Sequence, residues 1–118
     1  MTDLPQDVRV SIVQLDGHTR VRVSGELDLD TAPDLDQRLE ALIAESTGDL
    51  DLDLSEVTFL GSSGLVVLLR ARQALHEDHR RLRVLNPSPP VLRVFDLSGV
   101  LEVLLDEPQD DSRRAAQG

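Results

Sequence analysis

The sequence predicts a single α/β domain in which a mixed β-sheet packs with helices as one pair of layers. Three observations predict this class. The chain opens with two strand-like stretches around an Asp-Gly turn, and helix-like and strand-like stretches then alternate. The 118 residues also suit one domain. We therefore expect an N-terminal antiparallel hairpin followed by parallel strands that helices connect.

The hairpin is predicted from alternation on both sides of a turn. Val8, Val10 and Ile12 alternate with polar residues, as in a half-buried strand. Residues 16–18, Asp-Gly-His, are typical of a hairpin turn, and residues 20–23 alternate Arg with Val in a second strand.

A first helix is predicted to begin near Thr31, which would be its N-cap, with Pro33 in the first turn. Gly48 is placed to end it. The apolar stripe of this helix comprises Leu35, Leu39, Leu42 and Ile43.

Residues 49–54 alternate Asp with Leu and predict a strand with all three Leu on one face. We expect the Asp face to be a solvated or polar sheet edge, because alternate strand positions do not form the closed cage that a metal needs. Asp53 and Ser55 are expected to bond to backbone N–H groups in a turn.

The second half continues the alternation. Predicted in order are a helix over residues 65–75, a strand over 82–84, a helix over 91–97 closed by Gly99, and an edge strand over 103–105. The domain is expected to span residues 8–105, between an N-terminal extension, residues 1–7, and a polar, mobile tail, residues 106–118.

Composition excludes several classes of function. The net charge is −10, and only two aromatic residues are present, so nucleic acid is not expected as a partner. The absence of Cys and Lys excludes thiolate chemistry, zinc–sulfur sites and the P-loop lysine. His76 and His79 lack a third metal ligand nearby in the sequence. We expect a cytoplasmic protein with no membrane insertion, no metal and no cofactor.

Three segments carry a resemblance to a known family. Residues 24–33 are SGELDLDTAP, residues 53–71 are DLSEVTFLGSSGLVVLLRA, and residues 81–100 are RLRVLNPSPPVLRVFDLSGV. In order and spacing they resemble the signature stretches of STAS domains of the anti-sigma factor antagonist group. This resemblance implies partner switching. The antagonist binds an anti-sigma factor with serine kinase activity, phosphorylation releases it, and a serine phosphatase resets the switch.

The resemblance also implies the site residues. Ser63 matches the phosphorylated serine at the start of the second helix, and Asp28 matches an acid in a neighbouring loop. The family motif is Asp-Ser-Ser/Thr-Gly, but this chain has Gly61 in place of the Asp. Loss of that carboxylate either impairs phosphorylation or leaves a helix end better suited to an anion. The residues expected to bind the partner are Asp28, Gly61, Ser62, Ser63 and Gly64.

Two other functions compete with this prediction. Residues 61–64, Gly-Ser-Ser-Gly, do not complete the G-x-S-x-G nucleophile elbow, and no histidine is placed to act as a base, so an enzyme is not expected. The alternative within the same fold is a STAS subunit of a membrane transporter or larger signalling assembly that is not phosphorylated. Weak nucleotide binding, proposed for some relatives, also stays open.

Overall fold

The structure is a computed structural model that describes residues 8–98. Its elements follow the predicted order. Four predictions fall outside the described residues: the strand over 103–105, the stop at Gly99, the N-terminal extension and the tail. The elements are β1 (Arg9–Leu15), β2 (His18–Leu27), α1 (Ala32–Glu45), β3 (Asp49–Leu60), α2 (Ser62–Glu77), β4 (Leu82–Leu85) and α3 (Pro89–Ser98).

The strands form one mixed sheet in the order β1-β2-β3-β4. β1 pairs antiparallel with β2, whereas the β2–β3 and β3–β4 pairs are parallel. Leu15 pairs with His18, which leaves Asp16 and Gly17 as the hairpin turn. Gly17 has a φ of 77°, a backbone conformation that glycine adopts readily and that residues with a side chain disfavour. The predicted hairpin and parallel crossovers are thus confirmed.

The longest strand, β3, lies between β2 and β4 and extends six residues beyond the predicted stretch, to Leu60. Leu50, Leu52 and Leu54 are fully buried on one face. They share a single hydrophobic core with residues of all three helices. The central position of β3 fixes where its carboxyl end delivers the start of α2.

The Asp face of β3 is polar, as expected, but it is buried and lies inside the sheet rather than at its edge. Asp51 is fully buried and Asp53 is 5% exposed. The register places Arg20 and Arg83 on either side of Asp51. Arg83 Nε donates to Asp51 Oδ1 at 2.7 Å, and Arg20 Nη2 and His18 Nε2 lie 3.5 and 3.1 Å from Oδ2. The stems of the arginine side chains cover the carboxylates, since long charged side chains bury their methylenes and keep their ends solvated.

The start of α1 agrees with the prediction in position but not in its hydrogen bonds. Thr31 is the N-cap residue and Pro33 lies in the first turn, as expected, but the Thr31 side chain makes no capping bond to the helix. Its hydroxyl instead donates to the Glu26 carbonyl oxygen at 2.7 Å. Asp28 Oδ1 accepts from the N–H groups of Asp30 and Thr31 at 3.0 and 3.1 Å, which shapes the loop that precedes the helix.

The last described helix, α3, begins at Pro89, two residues earlier than predicted. Proline is favoured in a first helical turn because its missing N–H has no helical partner there. Just before it, the Ser88 hydroxyl donates to the Val57 carbonyl oxygen at 2.6 Å, which ties the helix to β3. Val91 and Phe95 are fully buried against the core.

Candidate functional site

The candidate site lies where β2 and β3 end side by side. Because these strands are parallel neighbours, the loops that follow them meet at one edge of the sheet. The register pairs Leu27 with Leu60, and the Gly61 N–H donates to the Leu27 carbonyl oxygen at 2.8 Å. Asp28 follows Leu27 directly, so the fold brings the two predicted segments together.

The Gly61-Ser62-Ser63-Gly64 tetrapeptide forms the junction between β3 and α2. Gly61 is the N-cap residue with extended backbone (φ −94°, ψ 177°), and its carbonyl oxygen accepts from the Leu65 N–H at 3.0 Å. Ser62 is exposed and Ser63 is half-buried. Within residues 8–98 neither serine hydroxyl has a hydrogen-bond partner, and no side chain caps the helix. The hydroxyls are therefore not engaged in holding the helix end.

The reason for Gly64 was not visible in the sequence. The residue is buried, and a Cβ added there would lie 2.8 Å from the Leu27 carbonyl oxygen and 2.7 Å from the Leu27 Cβ. Any side chain would push the first turn of α2 away from the end of β2. Gly64 thus sets the close approach that holds the serines next to the Asp28 loop.

The backbone does not require glycine at position 61. A φ of −94° is open to all residues. An added Cβ would lie 3.2 Å from Phe59 Cε2, a side-chain atom, and 3.7 Å from the Leu27 carbonyl oxygen. A small movement of the Phe59 ring would accommodate the aspartate that the family motif carries. The departure at Gly61 is therefore not a steric necessity.

Asp28 is half-buried, and its own loop uses its carboxylate. Oδ1 accepts from the Asp30 and Thr31 N–H groups and lies 3.2 Å from the Thr31 hydroxyl, while the Asp28 N–H donates to that hydroxyl oxygen at 3.0 Å. The Asp28 side chain holds the shape of the loop beside the α2 N-terminus. Any role in partner contact comes on top of this structural one.

Three exposed apolar side chains around the tetrapeptide were missed from the sequence. Leu29 is 77% exposed, Phe59 48% and Val66 53%. Leu29 follows Asp28, Phe59 lies two residues before Gly61, and Val66 lies one helical turn beyond Ser62. Phe59 and Val66 are out of phase with the neighbouring buried positions Leu60 and Val67 of their elements, which was the available signal, whereas Leu29 lies in the loop between β2 and α1. We call Leu29, Phe59 and Val66 the apolar rim.

A second predicted contact, at Asp53, lies on the preceding part of β3. The Ser55 N–H donates to Asp53 Oδ1 at 2.9 Å, which is the expected bond to a backbone N–H, but both residues lie within β3 and not in a turn. Burial on its own raises the pKa of Asp53. The bonds from the Ser55 N–H and hydroxyl, the Arg22 charge and the Asn86 side chain outweigh that effect and lower the pKa below the ordinary 3.8. The carboxylate is thus a stably ionised structural group.

The described residues present no metal-binding arrangement. Among residues 8–98 no group of three or more His, Cys, Asp or Glu side chains is placed to hold an ion. His76 and His79 are both exposed at the end of α2, and the His79 N–H donates to the His76 carbonyl oxygen at 3.0 Å. Over the same residues, every helix is too short or too polar to cross a membrane.

Comparison with protein families supports the resemblance seen in the sequence. The family model described as Mlab, STAS domain, matches residues 10–106, which include the whole candidate site. The chain therefore belongs to the STAS domain family.

Individual relatives are anti-sigma factor antagonists. The anti-sigma-B factor antagonist of Staphylococcus epidermidis is 29% identical over 98 residues, which span 83% of this chain and 91% of the relative. A crystal structure of an anti-sigma factor antagonist from Mycobacterium paratuberculosis is 34% identical, with a TM-score of 0.77 and 98% of both chains covered. The phosphorylated form of the Bacillus cell fate determinant SpoIIAA shares the fold, with 22% identity, a TM-score of 0.64, and 89% of this chain and 98% of that one covered.

Proposed function

We propose that this chain is a cytoplasmic anti-sigma factor antagonist that binds an anti-sigma factor with serine kinase activity and thereby releases a sigma factor. Phosphorylation of Ser63 ends binding, and a serine phosphatase restores it. The observation that carries the proposal is the position of Ser63. Its hydroxyl is unengaged within the described residues and lies at the start of α2 beside the apolar rim. The anti-sigma factor antagonists among the relatives support the same function, and they do not favour the transporter-subunit alternative.

The position of Ser63 makes its modification compatible with the fold. The first N–H groups of a helix lack intrahelical partners and carry the positive end of the helix dipole. A phosphate on Ser63 would add a charge of about −1.5 to −2 at neutral pH. That charge would be stabilised at the helix end, so the domain needs no rearrangement to accept it.

The same charge would oppose partner binding. Covering the apolar rim with a partner removes apolar surface from water and therefore favours binding. A dianion in the middle of that contact would lose its hydration, at a large cost in binding free energy. We therefore assign partner binding to the surface formed by the apolar rim together with Asp28, Gly61, Ser62, Ser63 and Gly64. The switch is then a change of affinity, and no catalytic group of this chain is needed.

The test is incubation of the protein with ATP and each candidate anti-sigma kinase of its own genome, followed by site-mapped mass spectrometry. We expect phosphate on Ser63, none in Ser63→Ala, and phosphate still on Ser63 in Ser62→Ala, the adjacent control. Ser63→Glu should weaken binding of the kinase at least about tenfold, or 1.4 kcal/mol. Wild-type affinity in Ser63→Glu would exclude a switch at this residue.

Gly61→Asp separates binding from modification. This variant restores the family motif without a backbone clash, and aspartate is a favourable N-cap residue. If the carboxylate helps to present the hydroxyl, Gly61→Asp should be phosphorylated faster than wild type while it binds the kinase equally well. A partner that binds wild type but modifies only Gly61→Asp would make the natural chain a constitutive antagonist. Absence of any binding kinase would overturn the proposed function.

A further inference from the structure

Among the residues that the structure describes, the edge strand β1 presents an open, regular edge. Within residues 8–98 it pairs only with β2, without a break in register from Arg9 to Leu15. One row of its N–H and C=O groups therefore points away from the sheet. Natural sheets protect such edges with charges, prolines or bulges. β1 has no proline and no bulge, and Arg9 is its one charged residue.

The exposed side chains of β1 are unusually apolar for an unprotected edge. Ile12 is 51% exposed, Val13 53% and Leu15 37%. Ile12 belongs to the alternation that predicted a half-buried strand, yet the core reaches only Val8 fully and Val10 in part. Because Ile12 and Val13 point to opposite faces, apolar surface is open on both sides of the strand.

On the helical side, β1 borders a groove with a distinctive distribution of charge. The groove has a volume of about 280 Å³ and is lined by Val10, Ile12, Arg38, Ala41, Leu42 and Glu45. The last four of these residues follow i, i+3, i+4, i+7 spacing on α1, so they form one stripe of the helix. Its middle is apolar and includes the small Ala41, while its ends carry opposite charges.

The direction of α1 makes this stripe self-complementary. α1 connects two parallel strands, so it runs opposite to β2 and in the same direction as β1. A two-fold axis beside the middle of β1, midway to the second β1, reverses both elements in the second copy. Arg38 of one copy then faces Glu45 of the other at each end of the groove, and the two Ala41 residues meet near the centre. The exposed pair between Arg38 and Asp34, at 3.1 Å, leaves further guanidinium N–H groups for a second carboxylate.

We propose that the β1 edge is an interface for a second copy of this chain. The two β1 strands pair antiparallel about Ile12 and join the four described strands of each copy into one sheet. A groove with one basic and one acidic end is matched by its own reversed copy, which favours this occupant over an unrelated partner. The interface shares no residue with the candidate site, since β1 pairs with β2 only as far as Ser24.

The first test is the mass of the full chain over a range of concentrations by light scattering and sedimentation velocity. The mass should rise from 13.0 kDa toward twice that value. Ile12→Lys places a charge at the centre of the edge and should weaken association at least tenfold. Leu92→Lys makes the same change at another exposed apolar residue, on α3, and should leave the dimer intact. Circular dichroism would check that both variants are folded.

The second test uses the absence of cysteine from the chain. Directly opposite residues of an antiparallel pair have Cα atoms about 4.5–5.5 Å apart, within the reach of a disulfide. Ile12→Cys should therefore form a covalent dimer under mild oxidation, and Leu92→Cys should not. Arg38→Glu should weaken the dimer, and adding Glu45→Arg should restore it. A monomer at every concentration, equal crosslinking of both cysteine variants, or no recovery in the double variant would overturn the proposal.

Discussion

At the scale of single residues, the two glycines of the tetrapeptide have different roles. Gly64 is buried where the start of α2 meets the end of β2, and there is no space for a Cβ. Gly61 faces only the edge of the Phe59 ring and has an ordinary φ. The close approach of the two backbones depends on Gly64. The side chain at position 61 sets the chemistry next to the serines.

The substitution Gly64→Ala should lower the free energy of unfolding. The new methyl would contact the Leu27 carbonyl oxygen and the Leu60 side chain at less than 3.0 Å, so backbone must shift. The strain of such overpacking is about 1–3 kcal/mol, and the better helix propensity of Ala offsets up to about 1 kcal/mol of it. Urea unfolding would measure the loss. Gly61→Ser is the matched control, and an equal loss in both variants would contradict the packing role of Gly64.

Asp53 gives a prediction for pH. Its pKa is lowered in the folded protein, so ionised Asp53 stabilises the fold above the ordinary 3.8, and this contribution is lost as the pH falls through the lower folded value. Asp53→Asn should therefore be most destabilising near neutral pH, with a difference from wild type that shrinks in acid. Urea unfolding of both proteins at a series of pH values would measure it. A difference independent of pH would show that the charge is unimportant.

At the scale of elements, Arg80 joins two helix ends that the sequence did not connect. The residue is 8% exposed. Its Nε donates to the Gly48 carbonyl oxygen at 2.7 Å, Nη1 to the Ile43 carbonyl oxygen at 2.9 Å and Nη2 to Ser46 Oγ at 2.8 Å. It thus satisfies carbonyl groups at the end of α1 from the turn that follows α2.

Replacing Arg80 should loosen this junction. Arg80→Lys retains the charge but lacks the fork of N–H groups, so carbonyl oxygens around Ile43 and Gly48 would lose donors. Hydrogen bonds to charged groups contribute about 1.5–3 kcal/mol net each, and the lysine ammonium can retain some of them, so we expect a loss of about 2–3 kcal/mol. Thermal unfolding would measure it. Arg93→Lys, at an exposed position of α3, should be neutral. A neutral Arg80→Lys would mean that water replaces the guanidinium.

The order and type of the elements could be predicted from the sequence because periodicity and turn residues are local signals. Contacts between distant segments could not. Alternation placed Asp51 and Asp53 on one face, but only the sheet register brings Arg20 and Arg83 beside Asp51. The lack of a capping bond from the Thr31 side chain depended in the same way on a bond from its hydroxyl back to Glu26.

At the scale of the whole molecule, the candidate site combines a predictable and an unpredictable part. The tetrapeptide and Asp28 could be located from the sequence, since the motif resembles a known family and parallel strands bring their ends together. The apolar rim was not predicted, because the out-of-phase positions of Phe59 and Val66 are a weak signal and the exposure of Leu29 depends on how its loop folds. Together these three side chains leave apolar surface exposed.

The proposed switch also makes a prediction about global stability. Because the chain carries a net charge of −10, one further negative charge adds to the general repulsion that destabilises the fold. At position 63, however, the positive end of the helix dipole stabilises that charge. Ser63→Asp should leave the free energy of unfolding unchanged or raise it by up to about 1 kcal/mol at low salt. Added salt should reduce any gain, because it screens the interaction. Urea unfolding at two salt concentrations would measure both effects.

Ala74→Asp is the matched control for this prediction, because it places the same charge on an exposed position in the last turn of α2, at the negative end of the dipole. It should destabilise the domain where Ser63→Asp does not. If both hold while Ser63→Asp binds its partner weakly, the switch acts through the surface and the fold stays intact. If Ser63→Asp is the less stable of the two, phosphorylation instead acts by loosening the start of α2.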